Sequence, residues 1–311
     1  MKKILLLPLM AVSLCALSAS AAQQSATEKE QALWQKLEAA ISDTDRGLDG
    51  VLGVAVLDLA TGRKFLLRGD EVFPQASSIK IAVLAELYQR AQQGKLKLND
   101  LYTLQSADIV SGSGIAFALT PGVTRMTLRD VAALMISVSD NSATNVLIDR
   151  IGMENVNALL DSFGLTHTRL RRKMMDLKAA SEGRENVATP GEMMALLENL
   201  YRGKVLNKQL TADFFDLLSI HKESFIPRDL PEDLRVANKP GELEGVCNDS
   251  GIVFAGSRPF VLCVMTTYLR HERDGEEAIT RIATAAYRMF DRLSRASEYG
   301  RVVSPADSSK P

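Results

Sequence analysis

The 311-residue sequence has only three histidines, and their placement excludes one class of active site. His167, His221 and His271 are far apart and show no metal-ligand spacing, which argues against a zinc hydrolase. No G-x-S-x-G sequence occurs, which argues against a serine–histidine triad on a nucleophile elbow. We therefore expect a site that uses neither a metal nor another cofactor.

Cysteine is also scarce, and disulfides are not expected to hold the fold together. Beyond the amino-terminal segment the sequence has Cys247 and Cys263. If residues 256–259 form a hairpin turn, Cys263 lies opposite Ile252. Cys247 then lies opposite Tyr268, and the two sulfur atoms do not meet. A disulfide between them is possible in an oxidising compartment but is not our prediction.

The sequence lacks an amino-terminal apolar run long enough to cross a membrane. The segment Ile4–Leu17 is shorter than the ~20 residues that a span needs. Lys2 and Lys3 precede it, and Ala19-Ser20-Ala21 follows it with small residues at both cleavage positions. This layout is typical of a secretory signal peptide cleaved near Ala21. We expect a secreted, periplasmic protein without stable membrane insertion.

The charges show no excess of one sign that would indicate a nucleic-acid partner. There are 37 Lys and Arg against 38 Asp and Glu, with no basic patch interleaved with aromatics. Loss of residues 1–21 removes two lysines and leaves a formal charge of about −3. A content of 46% hydrophobic and 24% charged residues is typical of a globular protein and excludes disordered and fibrous classes.

Patterning predicts strands near both ends of the chain and helices between them. A capping-box pattern at Thr27–Glu30 begins a first helix. The same spacing at Thr127–Asp130 begins another, and Thr189-Pro190 begins a later one. The predicted strands are 51–57, 64–67, 235–239, 251–255 and 260–268, and a last helix covers 276–293. A long helical stretch from Ser77 to about residue 220 contains a polar, poorly periodic loop between Phe163 and Ala188.

This order predicts an α+β fold, in which a five-stranded antiparallel sheet flanked by helices carries an inserted all-α domain. The sheet domain is discontinuous, with residues 22–70 and 218–297, and the all-α domain covers 71–217. Residues 1–21 are the predicted signal peptide, and residues 298–311 a flexible tail.

Ser77-Ser78-Ile79-Lys80 heads an apolar helix. Side chains three residues apart share a helix face, so the Ser77 hydroxyl and the Lys80 amine can approach hydrogen-bonding distance. Apolar surroundings lower the pKa of a lysine, and the neutral amine can then accept a proton from serine. Roughly one S-x-x-K is expected by chance in such a chain, and Ser219–Lys222 is a second, so the motif alone is weak.

Two further polar motifs are also weak in isolation. Ser139-Asp140-Asn141 lies between two predicted buried helices, where it could present a hydroxyl and a carboxamide, but these are also ordinary turn residues. Lys239-Pro240-Gly241 ends a predicted strand and alone indicates a Pro-Gly turn.

Order and spacing make the three motifs specific. Ser139 lies 62 residues after Ser77, and Lys239 lies 100 residues after Ser139, in the order S-x-x-K, S-D-N, K-T-G. From about Thr27 to Leu293 the chain resembles the class A β-lactamases, penicillin-recognising serine hydrolases, as a divergent member.

The resemblance implies a role for each motif residue. Ser77 attacks the β-lactam carbonyl, Lys80 is its base or proton relay, and Ser139 carries the proton to the leaving nitrogen. The implied substrate-binding residues are Asn141, Lys239, Gly241 and Glu242. Of these, Asn141 holds the substrate amide, Lys239 binds its carboxylate, and the Glu242 and Ser77 N–H groups form the oxyanion hole. The implied partner is a small β-lactam or a cell-wall peptide, and we expect a monomer.

The chain departs from the family on the side of the site that binds the substrate carboxylate. Pro240 replaces a Ser or Thr and removes a hydroxyl that would help hold that carboxylate. No arginine stands near the family position, where Asp249-Ser250 lies. Arg228 and Arg273 are the candidates to replace it.

A second departure concerns the water that frees the acyl group. The family uses a loop glutamate in an E-x-x-x-N frame, and counting back from Thr189-Pro190 places that position near Met174. The candidate water activators are Asp176, Glu182 and Glu185.

Three functions stay open from the sequence. The first is β-lactam hydrolysis through a Ser77 acyl-enzyme, which the full-length resemblance and Ser139-Asp140-Asn141 favour. The second is a DD-peptidase or esterase-like hydrolase, and the third is a β-lactam-binding acyl trap or sensor. The missing glutamate favours the second and third.

Overall fold

A computed structural model of the chain describes residues 10–297 and 299–302. Positions 1–9 of the predicted signal peptide, and 298 and 303–311 of the predicted tail, lie outside the described residues. In the described part, none of the helices combines the length and apolar character needed to span a membrane.

The helices occupy the amino-terminal end, the middle and the carboxyl-terminal end of the described chain. They are α1 (Met10–Gly47), α2 (Lys80–Gln92), α3 (Leu128–Ser137), α4 (Asn141–Ile151), α5 (Met153–Ser162), α6 (Leu177–Ser181), α7 (Pro190–Tyr201), α8 (Lys208–Leu218) and α9 (Glu272–Arg295). Two predicted starts are confirmed, because the Thr127 and Thr189 hydroxyls accept from backbone N–H groups three residues later.

The strands form one large sheet and two small ribbons. They are β1 (Val51–Asp58), β2 (Lys64–Leu67), β3 (Phe73–Pro74), β4 (Leu101–Thr103), β5 (Arg125–Thr127), β6 (Val187–Ala188), β7 (Val236–Leu243), β8 (Val246–Val253) and β9 (Phe260–Thr267). The large sheet is antiparallel with the order β2-β1-β9-β8-β7, and the short pairs are β3-β6 and β4-β5. The predicted α+β fold with a five-stranded antiparallel sheet is confirmed.

The two faces of the sheet belong to two hydrophobic clusters, because side chains alternate along each strand. On β1, Val54 and Val56 pack in a cluster with Trp34 of α1 and Phe290 of α9. Their neighbours Ala55 and Leu57 face the cluster formed with helices α2–α5, α7 and α8. The sheet is therefore buried between a layer of two helices and a larger helical layer. The domain boundaries at residues 71 and 217 stay a prediction.

Some predicted boundaries are wrong. The helix α1 begins at Met10 instead of Thr27, because no glycine or proline interrupts the segment before Gly47. The strand β8 begins at Val246 instead of residue 251, because its pairing with β7 and β9 overrides the low strand propensity of Asn248 and Asp249.

The predicted register of the β8–β9 hairpin is also wrong. Val253 pairs with Phe260, so the connection is longer than the predicted turn and Cys263 lies opposite Ser250 instead of Ile252. Cys247 N–H correspondingly donates to Thr266 Oγ1. Both cysteines are buried and free, in agreement with the prediction that they form no disulfide.

Candidate active site

Ser77 lies in a 3₁₀ turn, Ala76–Ile79, that leads directly into α2. In a 3₁₀ turn the side chains of residues i and i+3 lie one above the other, which aligns Ser77 with Lys80. Lys80 Nζ lies 2.9 Å from Ser77 Oγ and donates to it. Ala76, just before the serine, has a φ of +48°, a left-handed conformation uncommon outside glycine. The backbone is therefore strained beside the hydroxyl that the sequence singles out.

Ser139 completes a triangle of hydrogen bonds with Ser77 and Lys80. Its Oγ donates to Ser77 Oγ at 2.9 Å and accepts from Lys80 Nζ at 2.9 Å. Lys80 Nζ also donates to the Ser139 carbonyl at 2.7 Å. Ser139 has a φ of +53°, so this connector between α3 and α4 is also in the left-handed region. The structure thus brings the three predicted catalytic side chains together.

Hydrogen bonds to the Asp140 side chain hold the connector between α3 and α4 in place. Its buried carboxylate accepts from the N–H groups of Ile115 and Ala116 at 2.7 and 2.8 Å, and from Ala143 N–H at 2.8 Å. The last of these bonds caps α4. Gly114 passes so close that a β-carbon there would lie 2.2 Å from the carboxylate. Ser139 is therefore held by a satisfied buried network.

Lys80 has no solvent exposure, and its environment disfavours the charged form. Burial lowers the pKa of Lys80 well below the ordinary value, and the nearby positive charge of Lys239 lowers it further. Asp140 opposes the shift. A neutral amine 2.9 Å from the Ser77 hydroxyl can accept its proton.

Lys239 extends the polar cluster from β7. Its Nζ donates to Ser139 Oγ at 3.1 Å and to the Pro240 carbonyl at 3.0 Å. Burial lowers the pKa of Lys239 to about 7, and the charge of Lys222 acts in the same direction. Pro240 itself lies on the edge strand, where one side of the backbone has no partner strand and a proline is tolerated.

Gly241 lets β7 approach the Ser77 turn closely. A β-carbon at this position would lie 2.8 Å from Ser77 N and 2.7 Å from Ser78 N, so no side chain fits. The Ser78 hydroxyl donates to the Lys239 carbonyl at 3.0 Å and ties the same two elements together. Glu242 follows on the strand and lines the cleft.

Asn141 lies beneath the cluster at the start of α4. Its Oδ1 accepts from Lys80 Nζ at 3.1 Å, and its Nδ2 donates to the Ser111 carbonyl at 3.2 Å. Both ends of the amide are therefore bound to the protein, and this residue is not among those that line the cleft.

A cleft of about 610 Å³ opens above the cluster. Ser77, Ser139, Lys239, Gly241 and Glu242 line it. The other walls come from residues 113–114, the end of α3 and residues 221–223. The cleft has room for a small molecule beside the Ser77 hydroxyl.

The three candidate water activators lie elsewhere in the long loop. Asp176 is exposed and caps α6, because its carboxylate accepts from Ala179 N–H at 2.9 Å. Glu185 pairs with Arg172 at 2.7 Å, and Glu182 pairs with Arg184. None of the three carboxylates lines the cleft.

Met174, near the position where the resemblance places a glutamate, is held by a residue that sequence reasoning missed. The Asn145 side chain accepts from Met174 N–H at 2.8 Å and donates to its carbonyl at 3.1 Å. Asn145 lies four residues after Asn141 and shares its helix face, which was an available signal.

Neither candidate arginine reaches the cleft. Arg228 pairs with Glu276 at 2.8 Å, and Arg273 pairs with Glu277 at 2.9 Å. Asp249, where an arginine is expected, is fully buried. Lys222 also lines the cleft, and sequence reasoning missed it. It belongs to the second S-x-x-K, whose Ser219 hydroxyl bonds the Phe215 carbonyl.

The family model described as "Beta-lactamase enzyme family" matches residues 32–290. The chain belongs to this β-lactamase family. Beta-lactamase SME-1 of Serratia marcescens is 30% identical over 254 residues, which cover 79% of this chain and 85% of that protein.

Solved structures of this β-lactamase family agree with the fold. The beta-lactamase from Sphaerobacter thermophilus DSM 20745 is 32% identical, covers 81% of this chain and 96% of that one, and has a TM-score of 0.75. A class A beta-lactamase described as the last common ancestor of Gram-negative bacteria is also 32% identical, with coverages of 82% and 99% and a TM-score of 0.75. The predicted resemblance to class A β-lactamases is confirmed, and identities near 30% make the chain a divergent member.

Proposed function

We propose that the protein is a serine β-lactamase that opens the β-lactam amide through an acyl-enzyme on Ser77. The observation that carries the proposal is the triangle of hydrogen bonds that joins Ser77, Lys80 and Ser139 at the base of the cleft. It combines a hydroxyl nucleophile, an amine whose pKa burial lowers, and a second hydroxyl that contacts both.

The proposed acylation step moves one proton through this triangle. Neutral Lys80 takes the proton of Ser77 as its Oγ bonds to the β-lactam carbonyl carbon. When the ring C–N bond breaks, Ser139 gives its proton to the leaving nitrogen and regains one from Lys80. The Ser77 and Glu242 N–H groups bind the oxyanion, and each such donor is typically worth ~3–4 kcal/mol.

The remaining proposals concern binding and location. Lys239 holds the substrate carboxylate, while Gly241 keeps β7 against the Ser77 turn. For the substrate amide, Asn141 has the second N–H of Nδ2, since the first bonds the Ser111 carbonyl. We further propose a monomer that is exported by a signal peptide cleaved near Ala21 and acts in the periplasm. It comprises a sheet domain and an all-α domain with the predicted boundaries.

A second candidate function is a β-lactam-binding acyl trap or sensor. It is favoured by one observation, namely that Asp176, Glu182 and Glu185 are engaged outside the cleft. In that case no carboxylate activates the water beside the acylated Ser77. Hydrolysis of the acyl-enzyme is then slower than its formation, and the adduct accumulates.

A chromogenic cephalosporin distinguishes these functions. We expect sustained colour with purified protein, and a Ser77 adduct in the intact mass. A single stoichiometric burst with a persistent adduct would instead identify a trap. No reaction, with activity on D-Ala-D-Ala peptides or simple esters, would identify a DD-peptidase or esterase.

Matched alanine variants test the nucleophile. Ser77→Ala should abolish both colour and adduct, whereas Ser219→Ala, in the second S-x-x-K, should leave both unchanged. Sustained hydrolysis by Ser77→Ala would reject the assignment.

A further inference from the structure

Lys222 is a cation in the cleft wall with unused hydrogen-bonding capacity. It lies just after α8, and its half-buried side chain lines the cleft that contains Ser77. Its Nζ donates to the Leu218 carbonyl at 2.8 Å. An ammonium group has three N–H donors, and no other partner of this one is found among the described residues. Glu223, next in the chain, forms no ion pair with it.

The other two lysines of the site are more fully engaged. Lys80 Nζ contacts four oxygen atoms, of Ser77, Ser139 and Asn141. Lys239 Nζ bonds Ser139 Oγ and the Pro240 carbonyl. Lys222 is therefore the amine that is best able to donate to a molecule entering the cleft.

Asp249 explains how Lys222 comes to this wall. The carboxylate of Asp249, on β8, accepts from the N–H groups of Phe225 and Ile226 at 3.0 and 2.9 Å. It also accepts from Asn238 Nδ2 at 2.9 Å. These bonds fasten the segment that follows Lys222 to the sheet. Asp249 thus occupies the position where the resemblance implies an arginine. It also anchors the segment that follows Lys222 and so places that lysine in the cleft wall.

Glu223 and Glu242 also line the cleft, but neither carboxylate forms an ion pair with Lys222 or Lys239. Burial lowers the pKa of Lys222 to about 8, an effect that Asp249 opposes, and Lys222 in turn lowers the pKa of Lys239. The Asp249 carboxylate already accepts from backbone and amide donors, and it does not form an ion pair with either lysine. An anion in the cleft would stabilise the charged form of both amines.

We propose that Lys222, together with Lys239, binds the carboxylate of the substrate and replaces the arginine that this chain lacks. The ligand class is a small acyl compound with a carboxylate near the amide to be opened. The inference rests on the proposed function, because it assumes that such a compound acylates Ser77.

The test compares a penicillin with its neutral methyl ester, using the rate of Ser77 adduct formation measured by intact mass. We expect Lys222→Met to slow acylation by the penicillin about 10- to 100-fold, the range for a hydrogen bond to a charged group. Acylation by the ester should change less than about twofold. Lys222→Arg should keep most of the preference for the penicillin, since it keeps the charge. Lys208→Met, an exposed lysine outside the cleft, is the matched control and should behave like the parent.

A structural role for Lys222 would give a different pattern. If Lys222→Met slows penicillin and ester equally, or slows neither, the proposal is wrong.

A binding measurement separates this proposal from the acylation chemistry. In the Ser77→Ala background, calorimetry should show that the penicillin binds more tightly than its ester and that Lys222→Met removes the difference. If wild-type protein forms no adduct but this difference exists, the proposed function fails while the role of Lys222 stands. Adduct formation without this difference in binding would overturn only the proposed role of Lys222. Absence of both the adduct and the difference in binding would overturn both proposals.

Discussion

At the scale of single residues, the proposed roles of two buried lysines require opposite protonation states. Lys80 acts as a base only when its amine is neutral, and burial favours that form. Lys239 attracts a carboxylate only when it is protonated, yet burial lowers its pKa to about 7. Both requirements are met only at a pH at which Lys80 is neutral and Lys239 is still protonated.

This conflict predicts how substrate preference changes with pH. As pH rises from 7 to 9, Lys239 and then Lys222, with pKa values of about 7 and about 8, lose their protons. The ratio of acylation rates for a penicillin and its methyl ester should therefore fall over this interval, by up to about tenfold per pH unit for a single titrating group. The ester rate should rise or stay level, because Lys80 becomes more fully neutral. A ratio that stays constant up to pH 9 would contradict the assignment.

At the scale of elements, the long loop between α5 and α7 lies where the resemblance places the residue that activates the deacylating water. In this loop the backbone of Met174 is bonded to the Asn145 side chain, and the Asp176 carboxylate caps α6. The same loop therefore has a fixed backbone near the site and no carboxylate directed into the cleft.

Met174→Glu should supply that carboxylate and shorten the life of the acyl-enzyme. A general base typically contributes 10²–10⁴-fold, so we expect the adduct to decay about a hundredfold faster in an intact-mass time course. Asp176→Asn is the control, since asparagine also caps a helix, and it should leave the decay unchanged. Equal decay rates in the parent and Met174→Glu would show that the loop position is not the determinant.

Features that depend on neighbouring residues could be predicted from sequence, and those that depend on distant partners could not. The caps at Thr127 and Thr189, and the contact of Ser77 with Lys80, each join residues three positions apart. By contrast, β8 is extended by pairing with β7 and β9, and Lys222 is brought to the cleft by a bond that the Phe225 N–H donates to Asp249. The resemblance identified Ser139 and Lys239, but it did not identify Lys222.

At the scale of the whole molecule, the buried amines lower the stability of the fold. The pKa of Lys239 falls from 10.5 to about 7 on folding, so the unfolded state binds more protons between these values. The free energy of unfolding then rises with pH across that interval and is lowest, with respect to this group, below pH 7.

Lys239→Met should therefore stabilise the protein at pH 6 while it weakens carboxylate binding. We expect a gain on the order of 2 kcal/mol, or roughly 4–8 °C in the unfolding midpoint. Circular dichroism melts of both proteins at pH 6 and pH 9 check the sign, since the gain should shrink at pH 9. A gain that does not depend on pH would show that the buried charge is not its source.

The pairing of β1 with β9 has a consequence for how the molecule is made. Val51 lies opposite Thr267, so a strand from near the beginning of the polypeptide finds its neighbour only when almost all of it has been synthesised. The strand that carries Lys239 is joined to β1 only through β8 and β9. A nascent chain thus contains Ser77 before the opposite wall of the cleft exists, and the cleft is completed only near the end of synthesis.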